Sequence, residues 1–169
     1  MRLAFSRIDN GPFPRHATSC RKRFDSKVAK LQSKLKRAHA ALEISKKQLH
    51  KASVHSWEPS DPAQCVTMAF YSYENAVVAA ATAMGYEWQA THPSKVNVAK
   101  RLAKEGKVKV DIGERLTDLN RLRKDVSYGE PGDELSDIDL EDVVGELEEF
   151  INEVGDLLSS LGRRGGKSG

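Results

Sequence analysis

Cysteine is scarce: the chain of 169 residues has two, Cys20 and Cys65. Two distant thiols make neither a disulfide framework nor a thiolate metal site. Cys20 falls in a basic stretch and Cys65 in an apolar helical run, so a reduced, cytoplasmic setting is the expectation. Long hydrophobic runs are missing as well. The longest, Ala76 to Met84, is too short to span a bilayer, and the start MRLAFSRIDNGPFPRH has no apolar signal core. No membrane partner is expected. Strand patterning is almost absent. Lys107-Val108-Lys109-Val110 alternates, but in isolation it reads as an extended connector. The histidines are scattered, and no His/Asp/Glu grouping has ligand spacing, so neither metal nor cofactor is expected. The tail GRRGGKSG resembles a phosphate loop only superficially. Three residues, not the required four, separate Gly162 from Gly166.

What is present is charge, unevenly placed. The net charge is +3, yet residues 1–60 are strongly basic, with Arg21, Lys22, Arg23, Lys27, Lys30, Lys34, Lys36 and Arg37 near their centre. Residues 130–156 carry many acids and neither Lys nor Arg. The simpler reading packs the first and last helices together and pairs their charges. The sharper one makes the basic side a nucleic-acid-facing surface.

Hydrophobic spacing predicts five helices with short connections, an all-α, up-and-down bundle over residues 25–161. Residues 1–24, with Pro12 and Pro14, read as a disordered or loosely ordered basic arm, and 162–169 as a flexible basic tail. The first helix runs from Asp25 to about Ser53, with Val28, Leu31, Leu35, Ala38, Leu42 and Leu49 in one seam. His39 and His50 on it are surface residues, and Trp57 in the following linker caps a core edge. Asp61-Pro62-Ala63-Gln64 starts the second helix as a capping box with proline at its first position, and Gly85 stops it. That helix is apolar on several sides and should be central. Glu74 interrupts it. If buried it needs a partner, for which Arg121 and Arg123 are the candidates. His92-Pro93-Ser94 opens a short third helix, with His92 read as a cap or packing residue. Asp111-Ile112-Gly113-Glu114 opens the fourth. The last, capped by Ser136 to Asp139, has a heptad-like seam of Leu140, Val143, Leu147, Phe150, Val154, Leu157 and Leu161. Gly145 and Gly155 within it either admit another helix, as across a dimer interface, or are surface glycines.

The stretch LTDLNRLRKDVSYGE, residues 116–130, closes the fourth helix with a basic cluster and a Tyr-Gly pair. With LQSKLKRAHAALEISKKQL, MAFYSYENAVVAAATAMGYEW and THPSKVNVAKRLAKEG, it resembles the HEPN superfamily of helical bundles over about residues 26–160. The name stands for higher eukaryotes and prokaryotes nucleotide-binding. Many such domains are metal-independent endoribonucleases of toxin–antitoxin or phage-defence systems. Their motif is an Arg, four to six residues, then a His, with the site built at a dimer interface.

The resemblance implies that Arg123 is the motif arginine. After four intervening residues stands Tyr128 where a His is expected, and an alternative register puts Ser127 there. A tyrosine, with an ordinary pKa of about 10, is a poor base at neutral pH, by about 4 kcal/mol. The resemblance therefore implies absent or weak ribonuclease activity, with Arg123 and Tyr128 as the catalytic candidates. Arg121, Arg123, Lys124, Ser127, Lys34 and Arg37 are the RNA- or phosphate-binding candidates, and Glu74, His92 and Asp125 the supporting ones. Against this stands a purely structural role, with Arg123 paired to Glu74 or Asp125 and Tyr128 closing the helix. The implied partners are RNA or a nucleotide, a second copy in a homodimer, and a cognate protein such as a nucleotidyltransferase antitoxin or defence effector. A non-catalytic dimerisation or adaptor module is the alternative function.

Overall fold

The computed structural model describes the backbone of residues 16–57, 61–128, 135 and 138–166, and within these the side chains of 26–56, 61–128, 135 and 138–163. Five helices follow one another: α1 His16–Trp57, α2 Pro62–Met84, α3 His92–Lys104, α4 Gly113–Ser127 and α5 Leu140–Gly166. Among the described residues there is no strand, and Lys107 to Val110 forms bends. The chain is an all-α helical bundle, as its periodicity predicts. Helix α1 starts nearer the N-terminus than expected, at His16 rather than Asp25. Residues 16–24 lack an apolar seam, which is why pattern alone leaves them out, but they contain good helix formers such as Ala17, Arg21, Lys22 and Arg23. At its other end α1 continues to Trp57, so no linker begins at Ser53. The Trp57 side chain lies outside the described residues.

Helix α2 is the centre. It packs on all four other helices. Its start is fixed by Asp61, whose carboxylate accepts from Gln64 N at 2.8 Å. Its end is fixed by Gly85 at φ +73°, whose N–H and that of Tyr86 close on the last turn. Alanines 69, 76, 79, 80, 81 and 83 are buried along it, so neighbouring helices approach closely. Helices α1 and α2 run antiparallel, with Lys34 beside Gly85 and Ser45 facing Ser72. The two serines, both fully buried, exchange bonds: Ser45 Oγ donates to Ser72 O and Ser72 Oγ to Ser45 O, each 2.8 Å. These bonds satisfy groups whose burial would otherwise cost about 1–3 kcal/mol each.

On the other side Tyr73 and Phe150 pack ring to ring at 6.1 Å between α2 and α5. Val143, Leu147, Phe150 and Val154 are buried as expected, but the seam then shifts from Leu157 to Leu158, the drift of a 3.6-residue period against a heptad. Asp139 caps α5 through Asp142 N; Ser136 and Asp137 lie outside the described residues. Gly155 faces Leu42 of α1 within the same chain, and Gly145 is exposed. No described salt bridge joins α1 to α5. Two acids of α5 turn instead to α4, where Arg115 donates to Glu146 (2.6 Å) and Asp142 (2.8 Å). Helices α1 and α5 pack together as expected, but among the described residues their charges do not pair. Those bonds and nearby carboxylates hold the Arg115 guanidinium above its usual range although burial opposes its charge.

Candidate functional site

Phe70 and Glu74 lie one turn apart on α2, so they share a face. That face meets the first turn of α3. His92 Nδ1 donates to Glu74 Oε1 at 3.2 Å, and Lys95 Nζ donates to Glu74 Oε2 at 2.5 Å. Three residues separate His92 from Lys95, which puts both on one side of α3. Glu74 is 8% exposed, and the pairing answers the burial of its charge. Its partners are thus on α3, and neither Arg121 nor Arg123 takes that place.

Arg123 reaches the same aromatic patch from α4. Its guanidinium lies 4.8 Å from the centre of the Phe70 ring and 5.9 Å from that of Tyr71. The His92 ring lies 5.5 Å from the Phe70 centre. Phe70 is therefore the common wall of a histidine and an arginine from different helices. Arg123 donates to Asn120 Oδ1 at 3.2 Å, and no described carboxylate pairs with it. The expected Arg123–Asp125 pair is not formed. Two buried side-chain nitrogens in this cluster have no hydrogen-bond partner among the described residues: His92 Nε2 and Arg123 Nε.

This geometry has a chemical consequence. A carboxylate on Nδ1 fixes the ring and its tautomer, so Nε2 carries either a lone pair or the second proton of the imidazolium. A histidine oriented by an acid through one nitrogen has the form of a general acid–base group, but here the other nitrogen is buried, so a substrate reaches it only if the cluster opens. Arg123 adds a cation, while the charge of Lys95 is paired with Glu74. Arg123 stacks on aromatics and pairs with no acid among the described residues.

The other sequence candidates lie elsewhere. Tyr128 closes α4 through its backbone N–H on Lys124 O, while its side chain is 82% exposed and makes no ring contact with Arg123. Ser127 Oγ donates back to Arg123 O at 2.7 Å. Arg121 and Lys124 are exposed and Asp125 is half-buried. Lys34 and Arg37 sit on α1 beside the C-terminal end of α2, eleven residues or about 16 Å along the helix from Glu74. Sequence reasoning missed Lys95, Phe70, Tyr71 and Asn120. The available signal was spacing: Phe70 with Glu74, His92 with Lys95, and Asn120 with Arg123 each share a helix face.

Among the described residues, no group of three His, Cys, Asp or Glu stands close enough to hold a metal ion, and no helix is long and apolar enough to cross a membrane. No family model, curated protein or solved structure matches the chain.

Proposed function

We propose that this chain is an HEPN-like helical protein that binds RNA or nucleotide phosphate, with absent or weak endoribonuclease activity, and that His92 takes the role expected of a motif histidine. The observation that carries the reading is the meeting of Arg123 and His92 on Phe70, with Glu74 on His92 Nδ1 and Nε2 unpartnered. In this reading Arg123 and Lys95 hold the phosphate. His92 Nε2 accepts or returns a proton at the 2′-hydroxyl or the leaving oxygen. Tyr128 is a surface residue. The toxin–antitoxin or phage-defence setting rests on the resemblance of the four sequence stretches alone.

The test uses purified protein with total RNA and with a labelled oligonucleotide. Wild type is compared with Arg123→Ala, His92→Ala and Tyr128→Phe, each checked for helicity. RNA binding should weaken with falling affinity at rising salt, as phosphate contacts require. Arg123→Ala should weaken it further. Any cleavage should fall about a hundredfold or more in His92→Ala, the lower end of what acid–base groups contribute. Tyr128→Phe should behave as wild type. Wild type that neither binds nor cleaves RNA refutes the proposal.

A second reading, a non-catalytic homodimer or adaptor for a protein partner, is favoured by the exposed apolar side chains Ile44 and Val54 on α1. A protein that stays monomeric and captures no partner when co-expressed with its genomic neighbours excludes it.

A further inference from the structure

A second surface lies at the far end of α2. There Lys34 and Arg37 of α1 face Thr82, Gly85, Tyr86 and Trp88 across an open groove of about 410 Å³. Trp88 is 37% exposed and, with Tyr128, is one of the two exposed aromatic side chains among the described residues. Tyr86 beside it is engaged. Its hydroxyl donates to Glu105, and the Arg101 guanidinium covers one ring face at 3.9 Å. Trp88 has no such cover.

The cations of the groove are placed rather than loose. A Cβ at Gly85 would stand 2.8 Å from Lys34 Nζ, so the ammonium lies directly over the glycine that ends α2. A positive charge is favoured beside a helix C-terminus. Lys27, Lys30, Lys34 and Arg37 recur at spacings of three and four, which makes one exposed stripe about 15 Å long on α1. No described carboxylate pairs with any of the four. Glu87 lines a second groove with Tyr86, Trp88, Gln89 and Ser94, and does not line this one.

We propose that this groove binds a single-stranded nucleic acid, with one base stacked on Trp88, its phosphate held by Lys34 and Arg37, and the strand continuing past Lys30 and Lys27. An aromatic face beside a track of cations is the arrangement that takes an unpaired strand, because every base has a π-face while stacking excludes a paired one. The inference deepens the phosphate-binding reading by naming an unpaired strand as the ligand. It rests on that reading for the choice of nucleic acid, but on different residues.

The experiment is fluorescence anisotropy of a labelled twelve-nucleotide oligo(U) against the full chain and its variants, repeated with a duplex of the same length. Trp88→Ala is expected to weaken oligo(U) binding about tenfold or more, and Trp88→Phe to restore most of it. Lys34→Ala with Arg37→Ala should lower the slope of log affinity against log salt by about 0.7 for each cation. The duplex should bind more weakly than oligo(U). If both sets of variants bind like wild type while Arg123→Ala loses affinity, the groove is refuted and the His92–Arg123 reading survives. If Trp88→Ala loses affinity while Arg123→Ala and His92→Ala do not, the groove stands and that site falls. Equal binding of duplex and single strand overturns the stacking proposal.

Discussion

At the scale of single residues, burial decides which groups can react. Cys65 is fully buried at the start of α2, and burial first, then the nearby Asp61, pushes its thiol up to about 11. Its thiolate is therefore scarce in the folded state. The folded value lies above the ordinary one, so this group's contribution to stability is intact below that ordinary value and is lost as pH rises through it toward about 11. In a Cys20→Ser variant, alkylation by iodoacetamide at pH 8 should be slow in native protein and fast in urea. Equal rates would show that Cys65 is accessible. His92 is the contrasting case. Its ring is held by a carboxylate, and its second nitrogen is buried without a partner, a state that costs about 1–3 kcal/mol for a polar group. In folded proteins such a group is accounted for by a bound water or ion, by strain or by a functional role.

At the scale of elements, α2 organises the rest. Its capped start, its glycine stop and its alanine faces were all legible in the residues Asp61 to Gly85, because capping and small-residue packing are local chemistry. Gly85 is required twice, by its positive φ and by the approach of Lys34. Gly85→Ala should lower stability by about 1–2 kcal/mol from the left-handed backbone alone, read by urea unfolding. A neutral result would mean that the turn rearranges freely. The candidate site was less legible. His92 and Glu74 stand eighteen residues apart in sequence, and Arg123 a further thirty-one beyond His92. No periodicity connects them. Pattern could assign each to a helix, yet only the way α3 and α4 cross α2 brings them onto Phe70. The motif spacing drew attention to Tyr128, because it counts along one helix, while the histidine that accompanies Arg123 comes from another.

At the scale of the whole molecule, the charge asymmetry acquires a meaning that pairing between α1 and α5 would have removed. Two acids of α5, Asp142 and Glu146, are engaged by Arg115, and Lys27, Lys30, Lys34 and Arg37 of α1 are left toward solvent. One bundle thereby carries two positive regions along α2, the Arg123–His92–Lys95 cluster at its middle and the Lys34–Arg37 groove at its end. The central claim concerns the first. It is tested most directly by imidazole nitrogen NMR of ¹⁵N-histidine-labelled protein, with the His92 signals assigned from a His92→Gln variant, during titration with the same oligo(U). On saturation the Nε2 resonance of His92 should move while its Nδ1 resonance, held by Glu74, stays nearly fixed, and Arg123→Ala should reduce the movement. An Nε2 resonance unchanged at saturating oligonucleotide would contradict the claim.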